Sequence, residues 1–226
     1  MGEPGTTVDS EEVGRFAAEG AAWWDPAGRF RALHWINPVR LGFIRQELQG
    51  HFGREPSSLR PFEGLRLLDI GCGGGLIAEP MSRIGFSVTG IDAGAMAIAA
   101  AQTHAEAVGL AIDYRHTDAE SLVETGERFD VVMALEVIEH VSDPAAFFAS
   151  VGALVQPGGA FIGAAGDAGL SQRVAFDFLH DQPPTFTTTT VVAFAVDELR
   201  LQQPPAGFAC VNDLRSIFHM LSVPER

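Results

Sequence analysis

Leu67-Leu68-Asp69-Ile70-Gly71-Cys72-Gly73-Gly74-Gly75 is an apolar run that breaks abruptly into glycines. It reads as a buried strand feeding a tight loop. Glycines at Gly71, Gly73 and Gly75 admit positive φ and remove the Cβ atoms that would hold a ligand off the backbone.

The spacing narrows the ligand. A dinucleotide fingerprint needs G-x-G-x-x-G, and its third glycine would fall on Leu76, so the chain reads G-x-G-x-G instead. Asp92 follows a second strand-like run, Phe86 to Ile91, where a carboxylate can accept both hydroxyls of a ribose. A strand-to-helix turn accounts for a glycine loop by itself. Loop and acidic strand end together favour a nucleoside held without a pyrophosphate, as in S-adenosylmethionine.

Outward from the loop the chain alternates strand and helix. The expected elements are a strand ending at Ile70, a helix near Ile77 to Ile84, a strand Ser87 to Ile91, a helix Ala95 to Val108 and a strand Ala111 to His116. A strand Phe129 to Leu135, a helix Pro144 to Val155, a Gln156-Pro157-Gly158-Gly159 turn and a strand Ala160 to Ala164 follow. Pro80 is compatible with the first turn of its helix, where amides have no intrahelical partner. The fold class is α/β: a Rossmann-like, mostly parallel sheet with helices on both faces and an N-terminal helical extension.

Before the core, the first few residues look disordered, and Asp9 with Glu12 forms a capping box for a helix reaching about Trp24. Asn37 and Pro38 read as N-cap and N1 of a second helix carrying Leu41, Ile44, Arg45 and Leu48. Between them Trp23, Trp24, Phe30, Leu33, His34 and Trp35 read as a packed lid or staple. Gly50 to Pro61 is a turn-rich linker. Three regions result: 1–60 as helical lid, 61–165 as cofactor-binding core, and 166–226 as a C-terminal segment of different character.

Composition excludes several classes. The net charge is −14, and all 15 basic residues are arginines. A phosphate-tracking surface needs a basic stripe, so nucleic acid is an unsuitable partner. Cys72 and Cys210 make neither a disulfide framework nor a zinc site. The acidic N-terminus lacks the features of a signal or transit peptide, and no run has the ~20 apolar residues of a membrane span. The expectation is a cytoplasmic protein of bacterial type, with a local apolar patch as its means of touching a membrane.

Ligand groups of a doubly wound sheet gather at the carboxyl edge of the strands. Asp69, the glycine loop, Asp92, Asp118 with Ala119, and Leu135 with Glu136 all fall there. Asp118 is equally explained as a helix cap. After the fourth strand comes Glu136-Val137-Ile138-Glu139-His140. In a helical turn Glu136, Glu139 and His140 share a face, where they could hold a divalent cation or act as a base. The plainer reading buries one glutamate and leaves His140 to cap or pack. A group of this kind suits a phenol acceptor: with a pKa near 10, making phenolate at pH 7 costs about 4 kcal/mol.

These residues together resemble a family. Trp23-Trp24-Asp25-Pro26, Leu33-His34 and Ile36-Asn37-Pro38-Val39-Arg40 are similar to the N-terminus of the bacterial ubiquinone-biosynthesis O-methyltransferases. So are Leu68 to Leu76, Val88 to Asp92, Ile112-Asp113-Tyr114 and Glu136 to Pro144. The resemblance is dense from about Phe16 to Ile162. It implies a class I methyltransferase fold and S-adenosylmethionine-dependent O-methylation of polyprenylated phenols or catechols. It would place Arg40, Gly71, Asp92 and Leu135 on the cofactor, joined by Asp69, Gly73, Asp118 and Ala119 from the reading above, with Arg40 meeting the methionine carboxylate. It strengthens a magnesium-type site at Glu136, Glu139 and His140, and makes His140, with Glu136, the candidate for assisting phenol deprotonation. It also implies contact with other ubiquinone-biosynthesis proteins and a weak peripheral membrane contact at the inner membrane.

The likeness stops near Gly163. Leu179-His180-Asp181 is a faint echo of a family element, and Thr189 to Val196 has the composition of a strand. Either the segment is a divergent substrate cap, or the coding sequence shifts frame near Gly163, which the abruptness of the break favours. The rivals are a methyltransferase of another small acceptor and a cofactor binder that has lost its substrate wall. A nicotinamide dehydrogenase is opposed by Leu76.

Overall fold

The computed structural model describes residues 6–8, 22–165 and 190–195. The expected helix from Asp9 falls on residues outside these, except that Ala22 to Trp24 form a 3₁₀ turn. Thr6 to Val8, expected to be disordered, are tied down. Val8 bridges Val141 in antiparallel fashion, and Ser142 donates both its amide and its hydroxyl to the Thr7 carbonyl, at 2.9 and 3.0 Å.

Helix α1 runs over Arg31–His51. Its buried residues, Asn37, Arg40, Ile44 and Leu48, recur every three or four positions and so make one face. This corrects the reading of Asn37-Pro38 as a helix start, because Pro38 lies inside the helix. A proline there removes one backbone bond. Burial of the face on both sides of it carries the helix through, and Asn37 packs inward where a cap would turn back.

The core sheet is built from β1 (Arg66–Ile70), β2 (Ser87–Asp92), β3 (Asp113–His116), β4 (Phe129–Leu135) and β5 (Val155–Ala165). The strands lie in the order β3-β2-β1-β4-β5, every neighbouring pair parallel. Strand β6 (Thr190–Ala195) pairs in parallel with the outer side of β5, which places the strand foreseen at Thr189 to Val196. Between the strands come α2 (Ala78–Arg83), α3 (Ala95–Ala107), α4 (Ala119–Glu124) and α5 (Pro144–Leu154). Pro80 is the third residue of α2, within the turn that tolerates it.

Successive strand residues point to opposite faces. Leu67, Val131, Met133 and Ile162 therefore join one core with α1, α2 and α3, whereas Leu68, Ile70, Val132 and Phe161 join a second with α4 and α5. Two buried faces explain the near-continuous apolar runs of β1 and β4. The expected turn at Gln156 to Gly159 is instead part of β5, which meets Phe129 at Val155 and shifts register before Val131 pairs with Ala160. Asp130, accepting from the Arg66 amide and from Gln156, clamps that irregular start. Among the described residues no helix is long and apolar enough to cross a membrane.

Candidate functional site

At the end of β1 the backbone turns through Gly71 (φ 67°) and Gly73 (φ 51°), conformations that disfavour a side chain. A Cβ at Gly71 would strike Val137, and at Gly73 or Gly74 it would strike the Trp23 ring. Asp92, at the end of β2, accepts from the Gly73 amide at 2.9 Å with one oxygen and from the Gly94 amide at 2.7 Å with the other. These bonds brace the loop and leave carboxylate lone pairs for further donors. Burial pushes the Asp92 carboxyl upward, against the pull of the two amides.

Asp69 is buried and lines the same cleft, and its Oδ2 has no hydrogen-bond partner among the described residues. Burial, with Asp92 nearby and Arg40 in partial opposition, pushes its carboxyl up to about 7. Arg40, 2% exposed, reaches in from α1 and donates to Glu136 Oε1 at 2.6 Å. Desolvation holds its guanidinium below the ordinary value, although Glu136, Glu139 and Asp69 all favour the charge.

Glu136 follows β4 in a left-handed conformation, φ 59°, with its amide on the Ala164 carbonyl at 2.8 Å. It is the sole non-glycine residue of positive φ among those described. Such strain persists where its surroundings over-determine it, commonly at sites of function. The same φ corrects the expectation of a shared helical face. The turn that follows, Ile138–His140, is 3₁₀ and begins after Glu136 has left the helical path. With Glu136 committed to Arg40, no three His, Cys, Asp or Glu among the described residues form a cation-holding group. The magnesium-type triad of Glu136, Glu139 and His140 does not fit the geometry.

The cleft gathers Arg40, Asp69, Gly71, Asp92, Asp118, Ala119, Leu135, Glu136 and His140, all foreseen as site residues. Gly73 and Glu139 are not on its wall. Asp118 does both things weighed for it: it lines the cleft and caps α4 through the Ser121 amide at 2.8 Å. The sequence reading missed Asn37, Thr7 and Val8. Asn37 is 7% exposed, lines the cleft and leaves its Oδ1 without a partner among the described residues. Its place three residues before Arg40 on an amphipathic helix is the signal, obscured by the proline that follows it.

The aromatic lid closes over this wall. Trp23 stacks on Phe30 with centroids 3.8 Å apart, and the Trp23 carbonyl meets His34 Nε2 at 2.9 Å. Trp24 donates from Nε1 to the Gly74 carbonyl at 2.9 Å and stacks on His104 at 3.5 Å, while His104 Nδ1 lies 2.5 Å from the buried Glu79. Trp35, grouped with this cluster in the sequence reading, is instead 73% exposed beneath the Arg31 guanidinium.

Residues 68–163 match a family model described as a methyltransferase domain. The chain is 55% identical over 154 residues to the ubiquinone biosynthesis O-methyltransferase of Sinorhizobium medicae, covering 68% of this chain and 62% of that protein. It is 54% identical over 156 residues to the protein of the same name from Azorhizobium caulinodans, covering 69% and 62%. The chain thus spans about 62% of the length of these relatives. A solved magnesium protoporphyrin IX methyltransferase from Synechocystis PCC 6803, with bound SAH, shares the fold at a TM-score of 0.50 and 19% identity, over 65% of this chain and 64% of that one.

Proposed function

We propose that the chain is a class I methyltransferase and transfers the methyl group of S-adenosylmethionine to a phenolic oxygen of a polyprenylated acceptor in ubiquinone biosynthesis. The observation that carries this reading is the cleft itself: acidic ends of three parallel strands, a glycine loop and one buried guanidinium converge on it. The names borne by relatives at 54 and 55% identity support the acceptor class.

The lining fits the donor part by part. Asp92 has capacity for ribose hydroxyls beyond its two backbone donors. Asp118 and Ala119, at the start of α4 beyond β3, would take the adenine, with Leu135 making an apolar contact beside it. Gly71 lets the chain approach, and Arg40 supplies a charge-assisted partner for the methionine carboxylate. Asp69, acidic and lacking a partner for Oδ2, complements a cation. S-adenosylmethionine, when bound, supplies an electrophilic methyl on a sulfonium sulfur.

The chain's own residues then position the acceptor and take its proton. His140 lines the cleft and would serve as the base, taking the phenolic proton from the acceptor oxygen. Glu136 holds Arg40 in place, and the aromatic lid excludes water from the reacting oxygen. Residues 1–60 act as lid, 61–165 as cofactor core and 166–226 as the atypical segment. A polyprenyl tail partitions into lipid, so a brief peripheral contact with the membrane and with neighbouring ubiquinone-biosynthesis proteins belongs to the reading.

The test is transfer of labelled methyl to a short-chain demethylated quinol. Wild-type protein should turn over, and His140→Ala should lose about a hundredfold in kcat with little change in donor Kd. Donor binding without label transfer would leave a cofactor binder and overturn the catalytic half.

A further inference from the structure

Asn37 is a buried polar residue of the cleft that the reading above does not use. It lies one helical turn before Arg40 on the inward face of α1, and it lines the cleft that holds Asp69. Among the described residues its Oδ1 accepts no hydrogen bond, and neither does Oδ2 of Asp69. Buried acceptors without partners are uncommon in folded proteins and costly to leave so. Two of them lining one cleft, with a guanidinium that feels the Asp69 charge, describe a complement to a group with several N–H donors and a positive charge.

We propose that Asn37 accepts a hydrogen bond from the α-ammonium of the methyl donor, making α1 a reader of both ends of an amino acid: ammonium at Asn37, carboxylate at Arg40. This rests on the S-adenosylmethionine reading and deepens it. Asn37 is a specificity residue, which lets the site prefer a donor with an intact amino-acid end over nucleosides lacking the amine. Because its oxygen has no partner within the described fold, the group is positioned at the expense of the unliganded protein.

The experiment is titration calorimetry with three probes: S-adenosylhomocysteine, the same thioether with its α-ammonium replaced by hydrogen, and the same thioether with its α-carboxylate replaced by hydrogen. The proteins are wild type, Asn37→Ala and Asn37→Asp. Wild type should bind S-adenosylhomocysteine; failure there sinks the cofactor reading, independently of Asn37. Asn37→Ala should weaken S-adenosylhomocysteine about tenfold and leave the deaminated probe unchanged, while Asn37→Asp, which keeps the acceptor, should restore binding. The unliganded melting temperature of Asn37→Ala should not fall, since no bond is lost. Equal weakening of all three probes would make Asn37 a packing residue and overturn the proposal. Loss confined to probes that carry the carboxylate would overturn it too, by assigning Asn37 to the other end.

Discussion

Replacing Asp69 by Asn removes a charge and little else. The side chain keeps its shape, and no hydrogen bond to Oδ2 is broken, because none exists among the described residues. In the folded protein the carboxyl is pushed up to about 7, by burial first and by Asp92 second. In the unfolded chain it returns to the ordinary value near 3.9. A folded pKa above the unfolded one means that the native state binds the proton more tightly. The contribution is therefore fully present below about pH 4 and is lost as pH rises through about 7. Linkage across pH 5 to 8 gives about 2.5 kcal/mol of unfolding free energy lost by the wild type and spared in Asp69→Asn. For a chain of this size that is a relative shift in Tm of about 5 to 10 °C. Urea unfolding of both proteins without ligand at pH 5, 6, 7 and 8 reads it directly. The new amide adds a constant offset, so the slope with pH is the quantity to compare. Parallel slopes would refute the claim that Asp69 is buried and unpartnered in the native state.

Asp92→Ala deprives the Gly73 and Gly94 amides of their acceptor as well as removing the ribose partner. Donor affinity measured by calorimetry should fall about 10- to 100-fold, and a variant that binds like wild type would remove Asp92 from the site. Methyl transfer should be indifferent to EDTA, because Glu136 is turned onto Arg40. Loss of turnover reversed by added magnesium would show that the carboxylates regroup. Gly74→Ala should destabilise the protein through collision with the Trp23 ring, not through backbone strain, since Gly74 has an ordinary φ. A thermal-melt cycle with Trp23→Ala should recover most of that loss, and additive effects would mean the ring is not seated on the loop.

Much of the core could be read from the sequence because its signals are local. Apolar runs ending in Gly71 and Asp92 announce strands, and the helix expected from Pro144 forms over Pro144–Leu154, where Asp143 accepts from the Ala146 amide at 3.1 Å. What could not be read depends on tertiary neighbours. Pro38 looks like a helix start until the burial of Arg40, Ile44 and Leu48 is known. Periodicity puts Glu136 on a helix with Glu139, and the pull of Arg40 from ninety-six residues away is invisible to it. Gln156 to Gly159 carry turn composition, yet pairing with β4 draws them into a strand. The cleft was foreseen from strand ends, and Arg40 from the family resemblance; Asn37, beside it on α1, was not, because the proline that follows made it read as a helix cap.

The seating of Trp24 on Gly74 and His104 has a kinetic corollary. Those contacts span fifty and eighty residues of chain, so they can form only after β1, the glycine loop and α3 have already come together. Closing such long loops is entropically costly until a platform exists to reward it. The tryptophan pair accordingly docks late in folding and is among the first structures to open. Amide exchange around residues 22–30 should outpace that of β1 and β4, and the wall that holds the ligand assembles as the final act of becoming native.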